Sequence, residues 1–400
     1  MATSSSTIGR TEDITILQHW AAEGIDPLEN IIEAFSAAHR DVGFENRAQH
    51  VSSLRLLVKS QVLREDPPDL WVEWPGRNIE LAVEAGVIAD VTDVWQDTDI
   101  EANYVDGARD AARFDGRYRC VPTDIYRINN LFFNLDLVER VGVDFESVDT
   151  PAAFVDALER LDASLDVPAI VINGRDPFGP MQLWESLCIA HGGPDVYDAL
   201  LDGRARTHRG TVGSAVSSLD RILQYAAEDV SFTSSAGSDA AFVAGDAAVT
   251  HNGGWAIGRM KATEDFTYGE DWAYQPFPGT SEDYQLNMNA VVPSASVEED
   301  ATVAAFLEHL GSADSIAHVA DTLGAVPPRR DVPVDGLHPV TQRHHEALET
   351  TRRQLPSMTH GLGVGPDVVI GLKDAIVTFM RDRDVDAATA ALVDALETQA

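Results

Sequence analysis

Cysteine, lysine and long apolar runs are all scarce in this chain of 400 residues, and each shortage excludes something. The two cysteines, Cys120 and Cys188, lie in the apolar contexts YRCVP and SLCIA. Neither forms a C-x-x-C or a Cys/His set at zinc spacing, so a zinc ribbon or a disulfide-built scaffold is excluded and buried thiols are expected, their pairing left open. No stretch reaches the roughly 18 consecutive apolar residues of a membrane-spanning helix. There is no G-x-S-x-G elbow, no P-loop, no H-E-x-x-H and no G-x-G-x-x-G after a strand. His344 and His345 are adjacent on a predicted helix and face different ways, a poor metal site. No metal and no cofactor is expected.

What the chain has in excess is acid. Sixty-five Asp and Glu stand against 29 Lys and Arg, a formal charge of −36. Such a charge repels nucleic acid and anionic membrane, and both are excluded as partners. Acid is spread along the whole length, and Lys59, Lys261 and Lys373 are the only lysines. This pattern reads as adaptation to molar salt, where screening acts over about 3 Å. With so many carboxylates any spacing arises by chance, so a glycosidase pair has no support from sequence. Apolar residues at 44% suffice for real cores. The start, MATSSSTIGR, lacks the apolar centre of a signal peptide, and residues 1–12 read as a flexible tether of the kind that follows a removed leader or lipid anchor.

Strand and helix signals alternate. DITILQHW reads as a strand; Asp26, Pro27 and Glu29 then read as the start of a helix with Leu28, Ile31, Ile32 and Phe35 on one face. A helix near 52–64 stops at DPPD, LWVEW is a strand, GRNIELAVEAG a helix, and RFDGRYRCVP a hairpin about Asp-Gly. Thr150-Pro151 opens a further helix, VPAIVI is a strand, residues 212–228 are amphipathic, and EDWAYQPFPGT returns as strand and loop. ATVAAFLEHLG and SIAHVADTLG are helices, and the rest is largely helical. The alternation argues for α/β architecture.

Aromatic and polar residues collect at the predicted ends of these elements: Trp20 and Glu23, Glu73 and Trp74, Gln182 and Trp184 in PMQLWES, Asn287 and Asn289 in QLNMNAVVP, and His360 in MTHGLGVG. The stretch FVAGDAAVTHNGGWAIGRM spends one of seven tryptophans, Trp255, directly after two glycines. Ligands of open α/β sheets bind beyond the carboxyl ends of the strands. Flat aromatics beside carboxylate, amide and imidazole suit a sugar, whose C–H faces stack while its hydroxyls need donors and acceptors. Taken singly each has a plainer reading. Trp255 suits a core, and Trp184, at helical spacing with Leu187, suits one too.

The ordered blocks resemble the family 1 extracellular solute-binding proteins that deliver sugars to ABC importers, from Ile14 to about Ala390. The blocks are ITILQHW…PLENIIEAF, DPPDLWVEW, FDGRYRCVP, NLFFNLDLVERVGV…TPAAFVDAL, FVAGDAAVTHNGGW, FPGT, AAFLEHLGS and LGAVPPRR. DPPD, DIYRINN, QLWES and HG are most similar to the glucose- and mannose-binding type. The resemblance implies an α/β, two-lobe periplasmic-binding-protein-like fold of type II, maltose-binding-protein-like, hinged about a central ligand cleft. Its lobes are 13–122 plus 290–327 and 123–289 plus 328–400, with crossings near 122–126, 285–290 and 326–330. It implies sugar contacts at Trp20, Glu23, Trp74, Gln182, Trp255 and His360, with Arg127 and Asn130 near the hinge side; Trp184 joins them as a candidate contact read from its place beside Gln182. Asn287 or Asn289 stands where the subgroup has an acid, Trp74 where it has an imidazole, and His19 where an aromatic is frequent. The implied partners are a small-molecule sugar and permease subunits. The protein would be a monomer without catalytic residues at the extracellular face, held there by lipid, its export signal missing from this chain. The rival readings are a cytoplasmic glycosidase or other sugar-processing enzyme, and a stand-alone sugar sensor.

Overall fold

The computed structural model describes residues 13–21, 24–175, 177–227, 230, 233–351 and 353–399. The tether reading of residues 1–12 and the proposed contact Glu23 lie outside these. The chain divides into two compact units, Met1–Ile125 with Met288–Gly336 and Tyr126–Asn287 with Leu337–Ala400.

In the first unit the strand Ile14–Gln18 is central. Ile14, Ile16 and Leu17 are wholly buried, as expected of a strand covered on both faces. It runs parallel to Phe44–Ala48, with Ile14 opposite Phe44, and to Leu70–Glu73, with Ile16 opposite Leu70. Parallel neighbours need crossovers, supplied by the helices Leu28–Ala38 and Val51–Leu63. Pro27 stands just before the first of these helices, and the Asp26 carboxylate accepts from Leu28 N at 2.9 Å. The same carboxylate accepts from Gln18 and Asn46 side-chain amides at 3.2 and 3.0 Å, so the start of the helix also ties two strand ends together. The second half of the strand Asp283–Pro293 joins antiparallel, Ala290 opposite Glu73. Aromatic packing fills the unit: Phe35 lies edge-on to Phe306, and Trp95 stacks flat on Tyr118 at 4.0 Å. The Asp-Gly hairpin pairs Arg113–Phe114 with Arg117–Tyr118, and Asp115 and Gly116 take the positive φ values (50° and 81°) that its tight turn requires.

The second unit has its own sheet. Trp272–Pro276 pairs antiparallel with Asn130–Asn134, which pairs antiparallel with Val249–Asn252, and Ile170–Val171 lies parallel to the last. Arg353–Pro356 runs parallel to the first half of Asp283–Pro293. Helix Pro151–Asp162 starts as its sequence specifies: Thr150 Oγ1 accepts from Ala153 N at 3.2 Å and Pro151 occupies the first turn. The amphipathic segment near 212–228 is a helix only over Arg209–Ile222, followed by a 3-10 turn, Leu223–Tyr225. The long helix Phe178–Leu201 breaks at Gly193, before Pro194. These helices, with Pro366–Asp382 and Val385–Leu396, bury one continuous core that includes Leu158, Leu187, Leu219, Leu372 and Leu392. Cys120 and Cys188 are free, buried thiols.

Candidate functional site

In the first unit two tryptophans share one sheet end. Ile16 and Leu17 face Leu70 and Trp71 on adjacent strands, which end at Gln18 and Glu73, just before Trp20 and Trp74. Both follow the carboxyl ends of adjacent parallel strands, the position where open α/β sheets receive ligands. The turn holding Trp20 is built by Gln18, whose buried amide oxygen accepts from Ala21 N at 2.9 Å. Trp20 is 4% exposed, and its indole N–H has no partner among the described residues. Trp74 carries the Arg55 guanidinium over its ring at 3.7 Å. Arg55 also donates to the Glu73 carboxylate at 2.5 and 3.1 Å, and Trp74 N donates to the same oxygen at 3.0 Å. Glu73 is therefore a brace for Trp74, already occupied.

Asn289 lies one residue before Ala290, which pairs with Glu73. Its backbone N and Nδ2 donate to Asp124 Oδ1 at 3.0 and 2.9 Å, while Thr123 Oγ1 donates to Asp124 Oδ2 at 3.1 Å. Burial pushes the Asp124 carboxyl up to about 7, against the lowering effect of these donors.

In the second unit Trp255 follows the strand Val249–Asn252 and precedes the helix Ala256–Lys261. The indole is half-buried, edge-on to Tyr126 and to His360, both with ring centroids at 5.6 Å. The two glycines before it serve the indole itself. A Cβ on Gly253 would fall 2.2–2.6 Å from three carbons of the Trp255 ring, so the ring lies directly on bare backbone. At Gly254 a Cβ would meet His344 and Tyr126 at 3.3–3.4 Å.

His360 heads a buried chain of hydrogen bonds. The Gln182 amide nitrogen lies 3.3 Å from His360 Nε2, His360 Nδ1 lies 2.8 Å from Ser357 Oγ, and Ser357 Oγ donates to Glu185 Oε2 at 3.2 Å. With the amide donating, Nε2 is the acceptor and Nδ1 carries the proton. Glu185 also accepts from Tyr197 Oη at 2.7 Å, Met358 N at 2.5 Å, Thr359 N at 3.2 Å and the Thr359 hydroxyl. Burial raises its pKa despite these donors. One carboxylate thus shapes the loop that carries His360, while Phe178 stacks on the imidazole at 6.2 Å. Although serine, histidine and glutamate meet here, the serine proton is directed at the carboxylate and the imidazole donates to the serine. Each of these bonds holds the imidazole and the loop that carries it. Gln182 Oε1 is buried without a partner among the described residues.

Several expected contacts have other employment. Arg127 is 2% exposed and braces its own unit: it donates to Asn129 Oδ1, Tyr274 Oη and the carbonyls of Thr280 and Asp283, the last at 2.7 Å. A guanidinium committed to carbonyls in this way is a structural clamp within its own unit. Asn130 likewise donates to the carbonyls of Arg127 and Asn252. Trp184 is wholly buried within the hydrophobic core beside Leu187, and its indole N–H has no partner among the described residues. Asn287 is 1% exposed, and its Oδ1 has no partner among the described residues. Sequence reasoning missed Arg55, Asp124, Glu185 and Ser357 as organising residues. For Glu185 a signal existed, an acid within the apolar helical run PMQLWESLCIA. His344 is buried, and its pKa is well lowered by burial and by the Arg127 charge. No group of metal-ligating side chains and no helix long and apolar enough to cross a membrane occurs among the described residues.

Two α/β units joined by several chain crossings define the two-lobe periplasmic-binding-protein fold. The structure of a chitin oligosaccharide binding protein matches with a TM-score of 0.86 at 18% identity, covering 98% of this chain and 99% of the other. A RafE solute-binding protein solved with raffinose matches at 0.78 and 17%, covering 97% and 100%. This chain belongs to the bacterial extracellular solute-binding protein family, whose sequence profile matches residues 30–347. It is similar to the xylose/arabinose-binding protein XacG of Haloferax volcanii, 29% identical over 401 residues that cover 98% of this chain and 86% of the relative. It is also 23% identical to PH1214 of Pyrococcus horikoshii, an uncharacterized ABC transporter extracellular-binding protein, over 99% of this chain and 90% of that one.

Proposed function

We propose that this protein is the sugar-binding component of an ABC importer, capturing a neutral mono- or short oligosaccharide and handing it unaltered to permease subunits. The observation that carries this is the half-buried Trp255 indole, laid on Gly253 and edged by His360, whose ring is locked through Gln182, Ser357 and Glu185. A flat apolar face beside a fixed imidazole and amide is what a sugar ring with its hydroxyls requires. Trp20, Trp74 and Asn289 are the proposed contacts of the first unit; Trp255, Gln182, His360 and Asn287 are those of the second. Glu23 completes the set by resemblance. Capture works by closure of the two units on a hinge, since a ligand shifts that balance by its differential affinity for the closed state. The names of the relatives support the sugar class and differ on the sugar, a pentose in one and oligosaccharides in others. The family places its members outside the cell, and the proposed seat is the outer face of the membrane, beside the permease and held by a lipid. The charge of −36 fits work in molar salt.

A thermal-shift panel in 2 M salt tests the reading, with D-xylose, L-arabinose, D-glucose, D-mannose, maltose, raffinose and chitin oligosaccharides. Ligand at about a thousand times Kd adds about 4 kcal/mol, so one or more sugars should raise the melting temperature by several degrees. No shift with any of them, or release of nitrophenol from nitrophenyl glycosides, would count decisively against it.

A further inference from the structure

The first unit carries one buried carboxylate that meets no cation in the described contacts, Asp124, and its hydrogen bonds converge on one neighbour. Asp124 Oδ1 takes both the backbone N–H and the side-chain Nδ2 of Asn289, at 3.0 and 2.9 Å. Thr123 Oγ1 occupies the other oxygen, so the carboxyl cannot rotate its Oδ1 away without breaking three bonds. Asn289 is 4% exposed, and its Oδ1 is left without a partner among the described residues. An asparagine amide offers a donor end and an acceptor end, and it flips readily when nothing holds it. Here the donor end is committed. Asn289 is the residue next to Ala290, which pairs with Glu73 at the same sheet end that Trp74 follows.

We propose that Asp124 is a positioning residue: by holding Asn289 Nδ2 it presents Asn289 Oδ1 as a fixed acceptor, so that the position demands a donated sugar hydroxyl. The proposal rests on the sugar-binding reading above and adds the residue that sets the polarity of one contact. Asp124 does not touch the sugar. Its Oδ1 serves equally whether the carboxyl is ionised or protonated on Oδ2, since both forms leave Oδ1 an acceptor. Asp124→Asn therefore preserves the arrangement, with Thr123 turning to accept from the new amide. Exchanging the pair, Asp124→Asn with Asn289→Asp, breaks it: one atom at position 124 meets both the backbone N–H and the side chain of residue 289, and no amide atom can accept from the first and donate to the second.

Two measurements on the full chain test this. Without sugar, the Asn289 side-chain NH2 signals in a nitrogen-correlated NMR spectrum are identified by their loss in Asn289→Asp. They should exchange with solvent at least tenfold more slowly than surface asparagine amides. Exchange at the surface rate overturns the positioning. With sugar, calorimetry against D-xylose, L-arabinose and D-glucose compares variants. Asp124→Asn should bind within about threefold of the parent, while Asp124→Leu, Asn289→Leu and the exchanged pair should lose at least tenfold. Where Asp124→Leu fails to fold, Asp124→Asn decides: a folded Asp124→Asn that has lost tenfold overturns the proposal. If no sugar binds the parent, the sugar reading itself fails and the contact role falls with it, while the NMR result still judges how the amide is held.

Discussion

Gly253→Ala separates the binding surface from the fold, because its two consequences have opposite signs. Gly253 is not among the residues of positive φ, so alanine is tolerated by the backbone and stiffens the unfolded chain, worth about 0.4–1 kcal/mol of added stability. Its methyl, however, would stand 2.2–2.6 Å from Cζ3, Cη2 and Cε3 of Trp255. Carbon atoms settle at about 3.5–4.0 Å, so the indole must retreat by about 1 Å or more. A tryptophan buries about 200 Å² in all. Losing contact over about a third of that at about 25 cal/mol per Å² costs about 1.5 kcal/mol, roughly tenfold in Kd. Disturbing the edge contact with His360 threatens a polar group of the Gln182–His360 chain, and a polar group left unsatisfied costs about 1–3 kcal/mol more. The expected outcome is a sugar affinity ten- to a hundredfold weaker with little loss of melting temperature, read by tryptophan fluorescence titration and calorimetry in molar salt. Gly254→Ala is the control: its methyl meets His344 and Tyr126 at 3.3–3.4 Å, which small shifts relieve, and affinity should stay within about threefold. Parent affinity in Gly253→Ala, or equal damage from both substitutions, would refute the platform role of Trp255.

Trp184→Phe should act on stability alone, lowering it by about 1–3 kcal/mol through the space left in the core while the sugar Kd stays within twofold; a changed Kd with unchanged melting would return Trp184 to the site. Asp124 should leave a signature in the pH dependence of folding. Its carboxyl titrates near 3.8 unfolded and about 7 folded, so the folded state keeps a proton that the unfolded chain has released. The stability this contributes is full below pH about 4 and lost as pH rises through 7, about 4 kcal/mol in all. Asp124→Asn removes the dependence, so urea unfolding of the variant minus that of the parent should rise by about that amount between pH 4 and 8. Parallel curves would refute it, and the difference isolates one carboxyl among 65 acids.

The elements were legible where local chemistry decides them. The β-branched run ITILQ, the Thr150-Pro151 helix start and the Asp-Gly hairpin each carry their cause within a few residues. The site was legible only in part, because what distinguishes a contact from a brace is the identity of distant partners. Arg127 looks like a ligand residue until the carbonyls of Thr280 and Asp283, some 150 positions along the chain, are found to hold it. Asp124 and Glu185 could not be picked out by type, since acids are so abundant that two more carry no information; burial alone separates them from the solvated majority. The pair of glycines before Trp255 has a cause that the sequence does not display: Gly253 makes room for the indole.

A chain this acidic could be expected to show carboxylates at its binding surface, and the arrangement in each unit goes the other way. Glu73 is spent on Arg55 and the Trp74 backbone, Asp124 on Asn289 and Thr123, and Glu185 on the loop bearing His360. Each stands one bond behind a neutral group, and the valences left over are uncharged: the Trp20 N–H, Asn289 Oδ1 and Gln182 Oε1. The carboxyl groups thus act as fixed acceptors that orient indole, amide and imidazole. Salt that collapses long-range attraction to about 3 Å leaves short hydrogen bonds between neutral groups in place. On the sugar-binding reading, affinity for an uncharged sugar should therefore be the same in dilute and in molar salt, whereas an ion-pairing site would weaken.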